Sequence, residues 1–165
     1  MEKLLCAPNE WTEQKADRLA GKYLTFSLHG EFYGIGVLKV REIIRHHTIT
    51  VVPQMPPHIL GVINLRGKVI PVMDLRQRFG FPNAVKNEHA CIVVVQTILL
   101  AGNTASVGMM VDSVEEVVNF DADDIEQPPE LGVRMAANYI LGMAKVKGTV
   151  KVLLDVDRVV GAVGG

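Results

Sequence analysis

Large apolar side chains alternate with smaller or polar ones along several short runs of this chain. The first run, Tyr23–Leu28, is followed by the turn residues His29-Gly30-Glu31, and the alternation resumes at Phe32. Two such runs with a short glycine-containing link are typical of a β-hairpin. A second hairpin is predicted over 61–75, with its turn at 66–68. The pattern therefore predicts a chain built mainly of short strands.

Prolines and aspartates mark the ends of these runs. Pro71 has no N–H to donate, so we expect it at a sheet edge or a bulge. Asp74 is predicted to cap a short helix over 75–79 that Gly80 ends. Residues 1–21 have mixed charge and little periodicity. They are interpreted as a mobile tail or a frayed helix, and residues 1–20 are expected to be dispensable for folding.

Two patterns recur in fixed order along the chain. The pattern GxxVxxVxEII at 34–44 returns as GxxVxxVxEVV at 108–118, and elements of 59–74 return at 140–155, including the final aspartate, Asp155. The offsets are 108 − 34 = 74 and 140 − 59 = 81, which places an insertion in the 130–138 segment of the second copy. A duplicated unit rich in short strands predicts two small β-barrels. Barrels of about 65 residues are marginal alone, so a third apolar interface between them is expected.

Composition excludes several classes of function. The chain has 165 residues, 48% of them hydrophobic, and a net charge of −1, so no general attraction to nucleic acid is expected. The N-terminus has no secretory leader pattern, and no apolar run is long enough to span a bilayer. Cys6 and Cys91 form no disulfide framework, which favours the reducing cytoplasm.

No catalytic or metal-binding constellation is visible in the sequence. His46 and His47 are neighbours on a predicted strand, so their side chains should point to opposite faces. Asp74 and Asp155 match each other in the repeat and are interpreted as helix caps rather than an acid–base pair. The acidic group at 121–124 lacks the glycine and terminal glutamate of a calcium loop and is interpreted as solvated surface. We therefore expect no enzymatic activity, no cofactor and no metal.

One stretch is highly specific: Ile59–Arg76, which reads ILGVINLRGKVIPVMDLR. Together with 23–43, 107–118, 127–131 and 139–160, it resembles the CheW family of chemotaxis coupling proteins. The resemblance covers roughly residues 22–160. It implies an all-β fold with a few short helices, made of two SH3-like five-stranded β-barrels packed together. It also implies a free-standing adaptor rather than the kinase CheA or the adaptor CheV, which carry the same module.

The predicted organisation is a mobile tail over 1–21, a CheW-like domain over 22–160 and a C-terminal tail over 161–165. The first barrel is assigned mainly to 22–88 and the second mainly to 89–160, with exchange of strands between them left open. Because the chain ends soon after 160, contacts that longer members make through a C-terminal helix are not expected here.

The resemblance also implies two binding sites. A receptor-binding groove between the barrels would be lined by Val40, Glu42, Arg66, Gly108, Val114 and Val117. Contact with the kinase would involve Glu130 and Leu131, which follow a rigid proline pair. Plainer interpretations stay open: the valines as core, Arg66 as an ordinary turn residue, Glu42 as solvated charge, and Leu131 packed on its own barrel.

The implied function is a non-catalytic scaffold that couples methyl-accepting chemoreceptors to the histidine kinase CheA. Its partners would be the regulatory domain of CheA and the cytoplasmic tip of the receptors, with no nucleic acid and no direct membrane insertion. The protein would be cytoplasmic and recruited to membrane-associated receptor arrays. One alternative is an adaptor of the same kind in a non-flagellar pathway such as twitching motility. A remote one is a nucleic-acid-binding double β-barrel, which the 5% content of aromatic residues disfavours.

Overall fold

The computed structural model describes residues 11–45, 47–82, 88–98, 102–128 and 138–161. Eleven strands occupy most of this part of the chain. They are β1 Gly21–Leu28, β2 Glu31–Gly36, β3 Val40–Ile44, β4 Ile59–Leu65, β5 Lys68–Asp74, β6 Cys91–Ile98, β7 Thr104–Val111, β8 Ser113–Phe120, β9 Ile125–Glu126, β10 Ile140–Val146 and β11 Thr149–Leu154. The helices are α1 Glu13–Leu19, α2 Leu75–Arg78 and α3 Val156–Val160, with short 3-10 turns at Val37–Lys39 and Ala122–Asp124.

The strands form two sheets, and strands are exchanged between the halves of the chain. One sheet has the order β8-β1-β2-β11-β10-β9, and the other has the order β3-β6-β7-β5-β4. The first hairpin of the chain therefore completes the sheet of the second half, while β6 and β7 complete the sheet of the first half. We call the barrel that contains β1 barrel A and the barrel that contains β3 barrel B. The division at 88/89 thus follows chain order and does not describe the membership of the sheets.

Three apolar clusters hold the fold together. Tyr23, Phe120 and Leu153 belong to the core of barrel A, and Ile63 and Ile92 belong to the core of barrel B. The third and largest cluster takes residues from both sheets and from α3, among them the following fully buried side chains: Phe26, Ile35, Met73, Val95 and Val159. This shared core is the inter-barrel interface that the small size of each barrel predicted.

Local geometry repeats in the two barrels, as the duplication predicted. The turns of the two equivalent hairpins place Arg66 and Lys147 at φ 52°, each followed by a glycine. Each hairpin has a register shift at its first glycine, between Ile59 and Gly61 in one and between Ile140 and Gly142 in the other. A left-handed residue before glycine matches the right-handed twist of the strands, so these turns fix the register.

The predicted helix caps are confirmed. The carboxylate of Asp74 accepts a hydrogen bond from the backbone N–H of Arg76 at 3.0 Å, and that of Asp155 accepts one from Arg158 at 3.3 Å. Pro71 is not on an edge strand, because β5 lies between β7 and β4. Pairing of β5 with β7 begins one residue later, at Val72, so the missing N–H of Pro71 interrupts no bond of that ladder.

The N-terminal segment differs from the prediction of a mobile tail. Thr12 caps α1 by accepting a hydrogen bond from the N–H of Lys15 at 3.1 Å. Trp11 and Leu19 pack against the core of barrel A, and the hydroxyl of Tyr23 donates to the carbonyl of Leu19 at 2.7 Å. The described part of this segment is therefore a helix attached to barrel A. Among the described residues, no helix has the length and apolarity needed to cross a membrane.

Candidate functional site

The strands β3 and β8 occupy equivalent places, each at the edge of its sheet. Each strand also contains a register shift. On β3 the shift lies between Val40 and Glu42, and on β8 it lies between Val114 and Val117. The shift matters because paired residues of neighbouring strands project from the same face of a sheet. An extra residue therefore brings positions three apart to one face instead of opposite faces.

On β3, this places Val40 and Ile43 on the face of the shared core. Their partners are Val95 and Val93, both members of that core. Val40 is partly buried against it, whereas Ile43 is 43% exposed.

On β8, Val114 and Val117 have the same arrangement. They pair with Phe26 and Leu24, which also belong to the shared core. Val114 is partly buried, and Val117 is 52% exposed. The two barrels thus each present one half-covered and one exposed aliphatic side chain beside the shared core. We call these four residues, Val40, Ile43, Val114 and Val117, the inter-barrel margin.

Glu42 and Arg66 are brought together by the fold of barrel B. The guanidinium of Arg66 donates to both carboxylate oxygens of Glu42, with Nη2 to Oε2 at 3.2 Å. These hydrogen bonds, followed by the attraction of the Glu42 charge, raise the pKa of Arg66. The Arg66 side chain remains 75% exposed. Glu42 pairs with Val94 of the barrel B core, so its side chain leaves β3 on the face opposite to Ile43.

Gly108 does not line the margin. It is buried in the centre of its sheet, paired with Val94 on one side and Val72 on the other. A Cβ atom at Gly108 would lie 2.7 Å from Cγ2 of Ile92, which shows that glycine is required there by close packing. The structure therefore assigns Gly108 to the core of barrel B rather than to the surface that the resemblance implied.

Ile43 was missed by the sequence reasoning, although the repeat contained the signal. The offset of 74 that relates Val40 to Val114 also relates Ile43 to Val117. Glu130 and Leu131, the predicted kinase contacts, lie outside the described residues.

We predicted no metal site, because the sequence offers only scattered histidines. In the described ranges, no group of three histidine, cysteine or acidic side chains is arranged to hold a metal ion. His47 follows β3 rather than lying within it, so the prediction of a strand there was wrong, and His46 is outside the described residues. His29 stacks on Phe81 with ring centroids 4.7 Å apart. Burial, with a smaller effect from the nearby Arg78 charge, lowers the pKa of His58.

Comparison with known proteins gives one consistent family. The model of the CheW-like domain matches residues 22–163. A chemotaxis protein CheW of Klebsiella aerogenes is 32% identical over 146 residues, which cover 86% of this chain and 85% of that protein. The chemotaxis protein CheW of Bacillus subtilis is 37% identical over 109 residues, covering 66% of this chain and 67% of that protein.

Comparison of the fold with solved structures points to the same family. The crystal structure of the scaffolding protein TtCheW from Thermoanaerobacter tengcongensis superposes with a TM-score of 0.73 at 34% identity. The match covers 83% of this chain and 90% of that one. The fold of this chain is therefore similar to that of a solved scaffold protein.

Proposed function

This chain belongs to the CheW family of chemotaxis coupling and scaffold proteins, and from that membership we propose that it joins methyl-accepting chemoreceptors to the histidine kinase CheA. The observation that carries the proposal is the inter-barrel margin, an apolar surface contributed by both barrels. The proposal includes recruitment to membrane-associated receptor arrays through these partners. It also holds that the protein acts by binding alone, without a chemical step of its own.

We propose that the margin receives the cytoplasmic tip of the receptor, a helical hairpin with an apolar stripe. An amphipathic helix binds by laying such a stripe into an apolar groove. The exposed Ile43 and Val117 offer one aliphatic contact from each barrel. The affinity of a partner that contacts both barrels would also depend on the relative position of the barrels, whereas binding to a single barrel would not.

The Glu42–Arg66 ion pair would orient the receptor rather than supply most of the affinity. Charges at the rim of an interface act mainly on association rate and on partner selection. Arg66 stands on the rigid turn of the β4–β5 hairpin, and its exposure leaves donor capacity for a receptor carboxylate or carbonyl. The pair therefore combines a fixed position with an accessible cation.

The test is Arg66→Glu, measured as binding to a purified receptor hairpin-tip fragment at low and high salt, beside a thermal melt. The substitution places two carboxylates side by side and reverses the charge offered to the receptor, so we expect affinity to fall about tenfold or more at low salt. The difference should shrink at high salt, because exposed charges are screened. The melt should hardly change, since the side chain is exposed.

The matched control is Lys147→Glu. Lys147 occupies the equivalent turn of barrel A with the same φ of 52°. Lys147→Glu therefore makes the same charge change as Arg66→Glu at the same kind of turn, and the variant should still bind the receptor. Normal receptor binding by Arg66→Glu would remove Arg66 from the site. Early melting would show that its pairing with Glu42 serves the fold instead.

We propose that Glu130 and Leu131 contact the regulatory domain of the kinase. Support comes from the sequence: two prolines precede them and restrict φ, so the leucine would be presented with little loss of chain entropy. Leu131→Asp should weaken kinase binding and leave receptor binding intact, because a charge there must be desolvated at the interface. The control is Val150→Asp, at a valine 49% exposed on β11. Unchanged kinase affinity in Leu131→Asp would contradict the assignment.

A further inference from the structure

The chain crosses between the barrels at two equivalent places, just before the two strands of the margin. The first crossing leads through the 3-10 turn Val37–Lys39 into Val40, and the second passes through Asp112 into β8. At each crossing, a charged side chain of the link is bound to a charged side chain of the short helix that follows a hairpin. We call these two ion-pair clusters the Arg76–Asp112 clasp and the Lys39–Asp157 clasp.

The Arg76–Asp112 clasp is largely shielded from solvent. Arg76 donates from Nε to Oδ1 of Asp112 at 2.8 Å and from Nη2 to Oδ2 at 2.6 Å. The backbone N–H of His29, in the β1–β2 turn of barrel A, donates to Oδ2 of the same carboxylate at 2.9 Å. The two side chains are only 16% and 17% exposed. Burial opposes ionisation of Asp112, but hydrogen bonds from Arg76 and His29 outweigh it and lower the pKa of Asp112.

The Lys39–Asp157 clasp has the same form. Nζ of Lys39 donates to both carboxylate oxygens of Asp157, at 3.1 and 2.9 Å. The hydroxyl of Thr97 and the backbone N–H of Ile98 each donate to Oδ1 of Asp157 at 3.0 Å. Thr97 and Ile98 lie at the end of β6 of barrel B, whereas Asp157 lies on α3, which follows β11 of barrel A. This carboxylate therefore links barrel B to the helix that follows the last strand of barrel A.

The helix positions and the strand ends of the two clasps are related by the internal repeat, and the charges of the clasps are exchanged. Arg76 and Asp157 are equivalent helix positions, since 157 − 76 = 81. His29 and Ile98 are equivalent strand ends, because Leu28 pairs with Glu31 and Thr97 pairs with Ala105, and 105 − 31 = 74. Equivalent backbone N–H groups, those of His29 and Ile98, therefore donate to a carboxylate in the two barrels. That carboxylate comes from the link in one clasp and from the helix in the other.

Each clasp fixes the point at which a margin strand begins. Lys39 directly precedes Val40, and Asp112 lies two residues before Val114. A carboxylate with several donors, in a partly buried place, is costly to move because its charge would be left unpaired. The start of β3 is thereby tied to α3, which follows β11 of barrel A, and the start of β8 is tied to α2, which follows β5 of barrel B.

We infer that the two clasps are positioning devices that set the separation of the two sides of the inter-barrel margin, and so the fit of the receptor helix. The inference rests on the proposed function for its binding partner. An α-helix with its side chains is about 10–12 Å across, so a groove that contacts it from both sides needs a defined width. Neither clasp has to touch the receptor to have this effect.

The experiment compares Lys39→Met and Asp112→Asn with the wild-type protein. Affinities are measured for a receptor hairpin-tip fragment and for the isolated kinase regulatory domain, beside a thermal melt and methyl NMR spectra of the free protein. Each variant should lose about fivefold in receptor affinity, while kinase affinity stays within about twofold. In the free protein, Lys39→Met should shift the methyl resonances of Val40 more than those of Val114, and Asp112→Asn should do the reverse.

Three further variants control for charge and for pairing. Lys145→Met removes a lysine from an exposed position on β10 and should change neither affinity. Arg76→Asp places two carboxylates together and should weaken receptor binding more than Asp112→Asn. The double variant R76D/D112R restores opposite charges with the polarity that the other clasp already uses, and it should recover affinity to within about threefold of wild type.

Wild-type receptor affinity in both Lys39→Met and Asp112→Asn would overturn the inference, as would loss of both affinities in proportion to lowered melting. A wild-type protein that fails to bind the receptor fragment would instead refute the proposed function. The methyl spectra need no receptor, so they would still decide whether the clasps place the margin.

Discussion

Replacing Trp11 with alanine tests whether the N-terminal helix is part of barrel A. Trp11 is partly buried against the barrel A core, and its Cη2 atom would lie 3.3 Å from a Cβ at Gly142. Nζ of Lys15 lies 5.7 Å from the centre of the indole ring. If residues 1–20 were dispensable, as their pattern suggested, Trp11→Ala would have no effect on folding.

The magnitude follows from the burial of the indole. Truncation of a fully buried aromatic side chain to alanine costs about 3–5 kcal/mol. Trp11 lies at the start of α1 and is only partly covered, so we expect about 2 kcal/mol in the free energy of unfolding. For a domain of this size, 1 kcal/mol shifts Tm by about 2–4 °C, which gives a fall of about 4–8 °C.

The assay is a thermal melt followed by circular dichroism, repeated as a urea titration to measure the free energy of unfolding. Asp17→Ala is the matched control, because Asp17 is an exposed residue of the same helix and alanine keeps helix propensity high. Asp17→Ala should melt within about 1 °C of wild type. A Trp11→Ala variant that melts with wild type would refute the reasoning, and α1 would then be a dispensable attachment.

Two further predictions concern the core and the carboxylates. Gly108→Ala should lower the free energy of unfolding by about 1–3 kcal/mol in a urea titration, because its Cβ would lie 2.7 Å from the branched Ile92 side chain. Gly36→Ala is the control, because the space at its Cβ is open. Equal stability of the two variants would contradict the close packing at Gly108. The pKa of Asp112 is lowered from 3.8, since hydrogen bonds from Arg76 outweigh burial, so the stability it contributes is complete above pH 3.8 and is lost as the pH falls through the folded-state value. Asp112→Asn should flatten the dependence of Tm on pH in that acidic range, and an unaltered slope would contradict this assignment.

The features that the sequence predicted correctly are those set by neighbouring residues. Glycine after a left-handed residue fixes the turns at Arg66 and Lys147, and an aspartate before a short helix caps it whatever lies around it. The shared core was also foreseen, because two barrels of this size need a common interface. These properties depend on local chemistry or on chain length, both of which can be read without coordinates.

The features that the sequence did not predict depend on distant pairing. Apolar patterns along single strands, such as the alternation at β1, do not show which sheet a strand joins, so the exchange between barrels stayed open. Helix α1 packs on the barrel through Ala16 and Leu19, too short a stripe to decide between the mobile tail and the frayed helix that the sequence left open. Gly108 was assigned to the receptor surface through the resemblance, and a glycine in a sequence does not itself show whether it serves a turn, a surface or a close contact between strands.

The residues of the candidate site also include some that were predicted and some that were not. Val40, Val114 and Val117 were assigned through the resemblance, and the structure places all three beside the shared core. The exposed Ile43 needed the register shift on β3, since without it Ile43 would project from the face opposite to Val40. The ion pair of Glu42 with Arg66 likewise depends on where the second hairpin lies against β3.

If the margin receives a receptor helix, as we propose, the two halves of the duplicated fold must differ, because a helix has direction and its ends are unlike. The repeat relates Glu42 to Glu116 and Arg66 to Lys147. Within the described residues, Glu42 is paired with Arg66, whereas no ion pair joins Glu116 to Lys147. The aliphatic positions of the margin therefore repeat in both barrels, while the ion pair occurs in barrel B and not at the equivalent described positions of barrel A. Under the proposed function, aliphatic contacts from both barrels would supply affinity, and the ion pair of barrel B would select the direction of the helix. It follows that Arg66→Lys, which keeps the charge but loses the two-pronged hydrogen bond to Glu42, should change receptor orientation in a cross-linking assay more than it changes affinity.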